Sequence, residues 1–163
     1  MKIISGGQTG VDRGALDAAI SEGIEHGGFC PKGRTAEDGI IPCKYKLTEI
    51  PSSGYPARTK RNVHEADATI ILFFSGKQGS GSRLTERACS EYGRPFMTLP
   101  IVENEGDYRA RKDILTFLHM VKPRILNVAG SRESSSPGIQ KRVEEIMKAV
   151  LKTLKEKEPW MHT

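Results

Sequence analysis

The chain has 163 residues, of which 37% are hydrophobic and only 6% aromatic, and it carries a formal charge of +5. That length suits a single domain spanning 1–163 with one respectable core, and the apolar residues fall in blocks, which excludes general disorder. No apolar run approaches a bilayer's width and "KIISGG" is not a leader, so a cytoplasmic protein without membrane contact is expected.

Three cysteines without C-x-x-C pairs and four scattered histidines argue against a disulfide framework, a zinc ribbon or any dedicated metal site. The positive charge points to anionic partners, although Lys148, Lys152, Lys155 and Lys157 read more simply as the solvated face of a terminal helix.

In chain order, "KIIS" reads as a short strand and a glycine-rich turn follows. Residues 11–23 then carry Val11, Ala15, Ala19, Leu16 and Ile20 on one helical stripe. Gly27-Gly28 stops that helix, and Phe29-Cys30 suggests a second strand. Residues 31–58 lack periodicity and hold four prolines, which in a compact domain marks a functional loop or small unrecognised structure. A brief helix at 59–66 precedes "ATIILFF", apolar on both faces as in a central parallel strand. After "SGKQGSGS" come a helix at 83–92, the strand "FMTLPIV", a helix at 107–121 and the strand "RILNVAG". The last helix starts near Ser136, a cap, and Pro137, with Ile139, Val143, Ile146, Val150 and Leu154 as its core stripe.

Strands alternating with helices give an α/β class: a three-layer domain with a mainly parallel sheet of about five or more strands and helices on both faces. In such sheets ligands gather where strands hand over to helices. Three polar clusters, 5–13, 75–86 and 130–138, occupy such places; the fourth is the connection 31–62.

In the first cluster Gly6, Gly7 and Gly10 leave room for a ligand, and the helix start behind them favours an anion. The alternative is a capping box made by Thr9 and Asp12. Asp12 would repel a bare phosphate there by on the order of 1 kcal/mol. It is therefore expected either to be outweighed by Arg13 and distant arginines, or to accept a ribose hydroxyl or hold an arginine. Arg34 and Arg58 offer forks suited to oxyanions, among Glu37, Asp38, Thr59 and Asn62. Gly79 and Gly81 precede Ser82, whose hydroxyl would cap a helix or touch a phosphate. Gly130, Arg132 and Glu133 precede the last helix, where a capped loop explains Ser136 and Pro137 but not Arg132.

The phrases "SGGQTGVDRGALDAA", "CPKGRTAEDGIIP", "RTKRNVHEADATIILF", "LNVAGSRES" and "SPGI" resemble the molybdenum carrier family, a circularly permuted YpsA-like branch of the SLOG superfamily. The resemblance spans nearly the whole chain. It implies a Rossmann-like fold, self-association as a dimer or tetramer, and a pocket for a nucleotide-derived ligand or a small oxyanion such as molybdate. Related phosphoribohydrolases carry G-G-x-G-T-x-x-E. On "QGSGSRLTE" that motif matches at Gly79, Gly81 and Ser82 but places Thr85 where the acid belongs. Glu86, one residue late, points about 100° away on a helix.

The expected function is therefore binding of a nucleotide or comparable anion, with no certain cofactor. Gly6, Gly7, Gln8, Thr9 and Gly10 would line one wall, and Gly79, Gly81, Ser82 and Thr85 would line another. Arg34, Arg58 and Arg132 would neutralise charge; Asp12, Arg13, Asp38, Asn62 and Glu133 would orient the ligand or one another. The alternative is a hydrolase of an N-glycosidic or phosphoester bond with Asp12, Asp38 or Glu86 as acid–base group. Nucleic-acid binding ranks last, because few aromatics are present to stack on bases.

Overall fold

A computed structural model describes residues 1–51, 54–103 and 106–157. The elements run β1 (Lys2–Ile4), α1 (Val11–Ser21), β2 (His26–Gly27), β3 (Phe29–Cys30), β4 (Thr35–Ala36), β5 (Gly39–Ile40), β6 (Thr48–Glu49), α2 (Tyr55–Glu65), β7 (Ala68–Phe74), α3 (Ser80–Glu91), β8 (Phe96–Ile101), α4 (Tyr108–Val121), β9 (Ile125–Gly130) and α5 (Ile139–Lys157). Five strands form one sheet in the order β2-β1-β9-β7-β8, and every pairing in it is parallel.

The last strand in the chain, β9, takes the centre of the sheet. Counted from β9, the order becomes 3-2-1-4-5, that of a doubly wound Rossmann-like sheet whose chain has been opened before its second strand.

Every residue of β7 is buried, as a strand covered on both faces requires. Ala68, Ile70, Leu72 and Phe74 join Ile3, Leu126 and Val128 in the main core beneath α1, α4 and α5. The opposite face meets α2 and α3, where Val63, Ala88 and Cys89 form a smaller cluster. The stripe Ile139, Val143, Ile146, Val150 and Leu154 is fully buried, so α5 lies as its pattern demands.

Three expectations need correcting. The second sheet strand is His26–Gly27, whereas Phe29–Cys30 pairs with Thr48–Glu49 outside the main sheet. The physical cause is at Gly28, whose φ of +121° turns the chain against the backbone of Ser5. The side chain of Asn62 then occupies both backbone groups of Phe29: Oδ1 accepts from its N–H and Nδ2 donates to its carbonyl, each at 2.9 Å. Ser136 does not cap α5 with its hydroxyl. The carboxylate of Glu133 does so, accepting from the N–H groups of Gly138 at 2.6 Å and Gln140 at 2.9 Å.

Arg34 is the third. Residues 31–50 hold a short 3-10 turn and the β4–β5 hairpin. Its guanidinium donates to the carbonyls of Ile41, Leu47 and Pro42 at 3.1 Å and of Tyr45 at 2.9 Å, so it staples this connection together. Those donors are consumed by backbone acceptors and do not reach the strand ends where a ligand would lie.

Candidate functional site

At the centre of the sheet β9 and β7 lie side by side, and the helices that follow them leave to opposite faces. That divergence opens a cleft beyond the carboxyl ends of the strands. Its lining comes from all the polar clusters at once. Gly6, Gln8 and Asp12 come from the first turn, and Arg58, Thr59 and Asn62 from α2. Gly81 and Thr85 come from α3; Asn127, Ala129, Gly130 and Arg132 come from β9 and the turn after it. The cleft encloses about 60 Å³. At roughly 10–15 Å³ per water-sized atom this accommodates one tetrahedral anion.

Asp12 and Arg58 form an ion pair at 2.8 Å in the wall, with side chains only 7% and 13% exposed. The same Asp12 oxygen, Oδ2, also accepts from the backbone N–H of Gln8 at 3.2 Å. Burial pushes the Asp12 carboxyl above its ordinary range, while the guanidinium of Arg58 and the Gln8 N–H pull it back. The guanidinium lies directly over Gly6, where a β-carbon would collide with it. The acid inside the helix start is therefore held by an arginine from another element. The Thr9–Asp12 capping box does not form, and α1 follows Gly10 at its N-cap with no side-chain cap.

Gln8 accepts at Oε1 from the N–H of Thr9 at 3.1 Å and of Glu37 at 2.9 Å, which fixes its amide orientation. Its Nε2 is buried and has no hydrogen-bond partner among the described residues, nor have Arg58 Nε and Ser82 Oγ. Buried donors left unmet cost stability and mark places where a further acceptor belongs. Two of the lining arginines also meet a ring, that of Tyr55, which lies under both cations. Arg132 is 4.8 Å from its ring centre, and Arg58 is 5.8 Å from it.

Other candidates frame the cleft from outside its lining, while Asn62, Gly81 and Thr85 line it and also hold neighbouring segments. Arg13 donates from Nε to the Gly7 carbonyl at 3.0 Å. It also grips Asp38 with both terminal nitrogens, at 2.5 and 2.7 Å, a bidentate charge-assisted pair. That grip holds the Asp38 carboxyl below its ordinary range. The Thr9 hydroxyl donates to Glu37, which also accepts from the Ser134 hydroxyl at 2.5 Å. Gly10, at φ +84°, lets the first turn touch the backbone of Ser131 and Arg132, and Gly7, at φ +76°, packs on Ile41 and Leu47. Glu86 accepts from Gln78 at 2.6 Å and Thr98 at 2.9 Å, outside the cleft lining. Asn62 and Glu133 hold β3 and α5 in place, as described above. Gly79 and Gly81 stand in open space at the start of α3, and Thr85 returns its hydroxyl to the Gly81 carbonyl at 3.0 Å.

The sequence pattern did not single out Tyr55 or Asn127. Asn127 is 2% exposed and donates to Thr69 at 3.3 Å; a lone polar residue inside the apolar run of β9 was its available signal.

A doubly wound sheet opened before its second strand, with a polar cleft at the crossing point, defines a circularly permuted Rossmann-like domain. More particularly, the chain belongs to the circularly permutated YpsA SLOG family, whose model matches residues 3–151. A crystal structure from Syntrophus aciditrophicus SB, named "Putative molybdenum carrier protein", is 39% identical and superposes with a TM-score of 0.86, covering 92% of this chain and 94% of that one. Among curated proteins none matches.

Proposed function

We propose that this protein binds a small anionic ligand, a nucleotide phosphate or comparable tetrahedral oxyanion, at the base of the cleft. The observation that carries the reading is the unmet Nε2 of Gln8, buried in a wall whose described lining holds two arginines, Arg58 and Arg132, and one carboxylate, Asp12. Arg132 supplies the positive charge that Asp12 does not balance. The uncapped start of α3 adds N–H groups and the positive end of a helix dipole. The molybdenum carrier name of the neighbouring structure fits an oxyanion ligand. The reading includes a cytoplasmic, self-associating protein; no described helix is long and apolar enough to cross a membrane.

A thermal-shift panel of phosphate, molybdate, AMP, ATP, NAD and ADP-ribose tests it. A ligand at 100 times its dissociation constant stabilises by about 2.7 kcal/mol. Arg132→Ala should abolish the shift, and molybdate and nucleotide should displace each other if both bind.

A second reading, hydrolysis of a nucleotide bond, is favoured by one observation: of the acids Asp12, Asp38 and Glu86, Asp12 lines the cleft. Turnover of a nucleoside monophosphate that disappears in Asp12→Asn would support it.

A further inference from the structure

We infer that the cleft selects anions that carry their own hydroxyl, hydrogen phosphate or a sugar phosphate, over tetrahedral dianions that have lost every proton, such as sulfate and molybdate. This rests on the anion-binding reading above and names the ligand class within it.

Donors and an acceptor of fixed role line one small space. Arg58, Arg132 and the Nε2 of Gln8 are donors only, and they demand acceptor oxygens. Asp12 lies in the same wall at 5% exposure, and an ionised carboxylate can only accept. It cannot turn away, because Oδ2 is held by both the Arg58 guanidinium and the Gln8 backbone. The amide of Gln8 cannot exchange its ends either, since Oε1 already takes two backbone N–H groups.

An oxyanion with acceptors alone satisfies the donors but sets oxygen against oxygen at Asp12. One that bears an O–H satisfies both sides, and the contact with Asp12 becomes a short charge-assisted hydrogen bond. Sulfate and phosphate are nearly the same size, so the proton is what distinguishes them here. At neutral pH phosphate retains at least one proton, whereas sulfate and molybdate retain none. The O–H can equally belong to a sugar attached to the phosphate, and the shared chemistry is an anion with a neighbouring hydroxyl.

The test is isothermal titration of the full chain at pH 7 with inorganic phosphate, ribose 5-phosphate, sulfate and molybdate. Phosphate or ribose 5-phosphate should bind roughly tenfold or more tightly than either sulfate or molybdate, the size of effect expected when a buried acceptor is left unmet. Tighter binding of phosphate identifies its own proton as the donor, and tighter binding of ribose 5-phosphate identifies the sugar hydroxyl; both results uphold the inference. Asp12→Asn, whose amide also donates, should bring sulfate level with phosphate. If that variant does not fold, the wild-type panel decides alone. Sulfate or molybdate binding as tightly as the phosphates overturns the selection and leaves anion binding standing. Failure of all four to bind overturns both.

Discussion

Asp12 on α1 and Arg58 on α2 meet at 2.8 Å, which ties the first glycine turn to a helix on the far side of the intervening loop. Their partnership holds an acid at a helix start that would otherwise face the anion uncompensated. It also holds the Arg58 guanidinium over Gly6.

Removing one member leaves the other buried and unpaired. Arg58→Ala is therefore expected to destabilise by about 3–5 kcal/mol, read as a lower urea midpoint with an unchanged slope. A loss below about 1 kcal/mol, the range of exposed pairs, would mean that this one is solvated in solution.

Gly81 separates stability from binding. It lies within α3 with nothing near its absent side chain. Gly81→Ala should therefore stabilise by about 0.4–1 kcal/mol. The new methyl group would project beside the cleft that Gly81 lines, so affinity for phosphate should fall several-fold. Rising stability with unchanged affinity would remove Gly81 from the site.

Gly10 behaves oppositely. Its φ is +84° and the Ser131 backbone lies against it. Gly10→Ala should therefore be among the most damaging single-methyl changes in the chain. Thermal unfolding of the two alanine variants side by side makes the comparison directly.

Asp38 gives a pH dependence with a definite sign. The grip of Arg13 lowers its folded-state pKa below the unfolded value of about 3.9. Its contribution is present above about pH 4 and is lost as pH falls through the lower folded value. Asp38→Asn should flatten that part of the stability profile below about pH 4. An unchanged profile would contradict the pairing.

Glu133 should affect α5 and not the ligand. Its carboxylate takes the N–H groups of Gly138 and Gln140. Removing that cap in Glu133→Ala should cost about 0.5–2 kcal/mol of stability. Phosphate affinity should remain that of the parent.

The sequence made the sheet legible where hydrophobic pattern alone decides. β7 and the stripe of α5 needed nothing beyond their own residues. It misplaced the second strand, because Gly28 and the distant Asn62 redirect Phe29, and neither effect is local. The convergence of residues 5–13, 75–86 and 130–138 was readable from strand-to-helix handovers, and the cleft lining draws on all three. Individual roles were not. Arg34 and Arg58 look alike in sequence, yet one is spent on carbonyls of its own loop and the other reaches Asp12. Which carboxylate an arginine meets depends on contacts 25 to 46 positions apart, beyond any periodicity. Tyr55 was overlooked for the same reason: its ring matters because Arg132, from the opposite end of the chain, lies over it.

The central claim is that separate strand-to-helix turns share one anion. Titrating labelled protein with AMP while following backbone amide shifts tests it most directly. Residues 6–10, 80–85 and 130–132 should shift together with one dissociation constant, and Arg132→Ala should silence all three. Shifts confined to one turn, or centred elsewhere on the molecule, would contradict it.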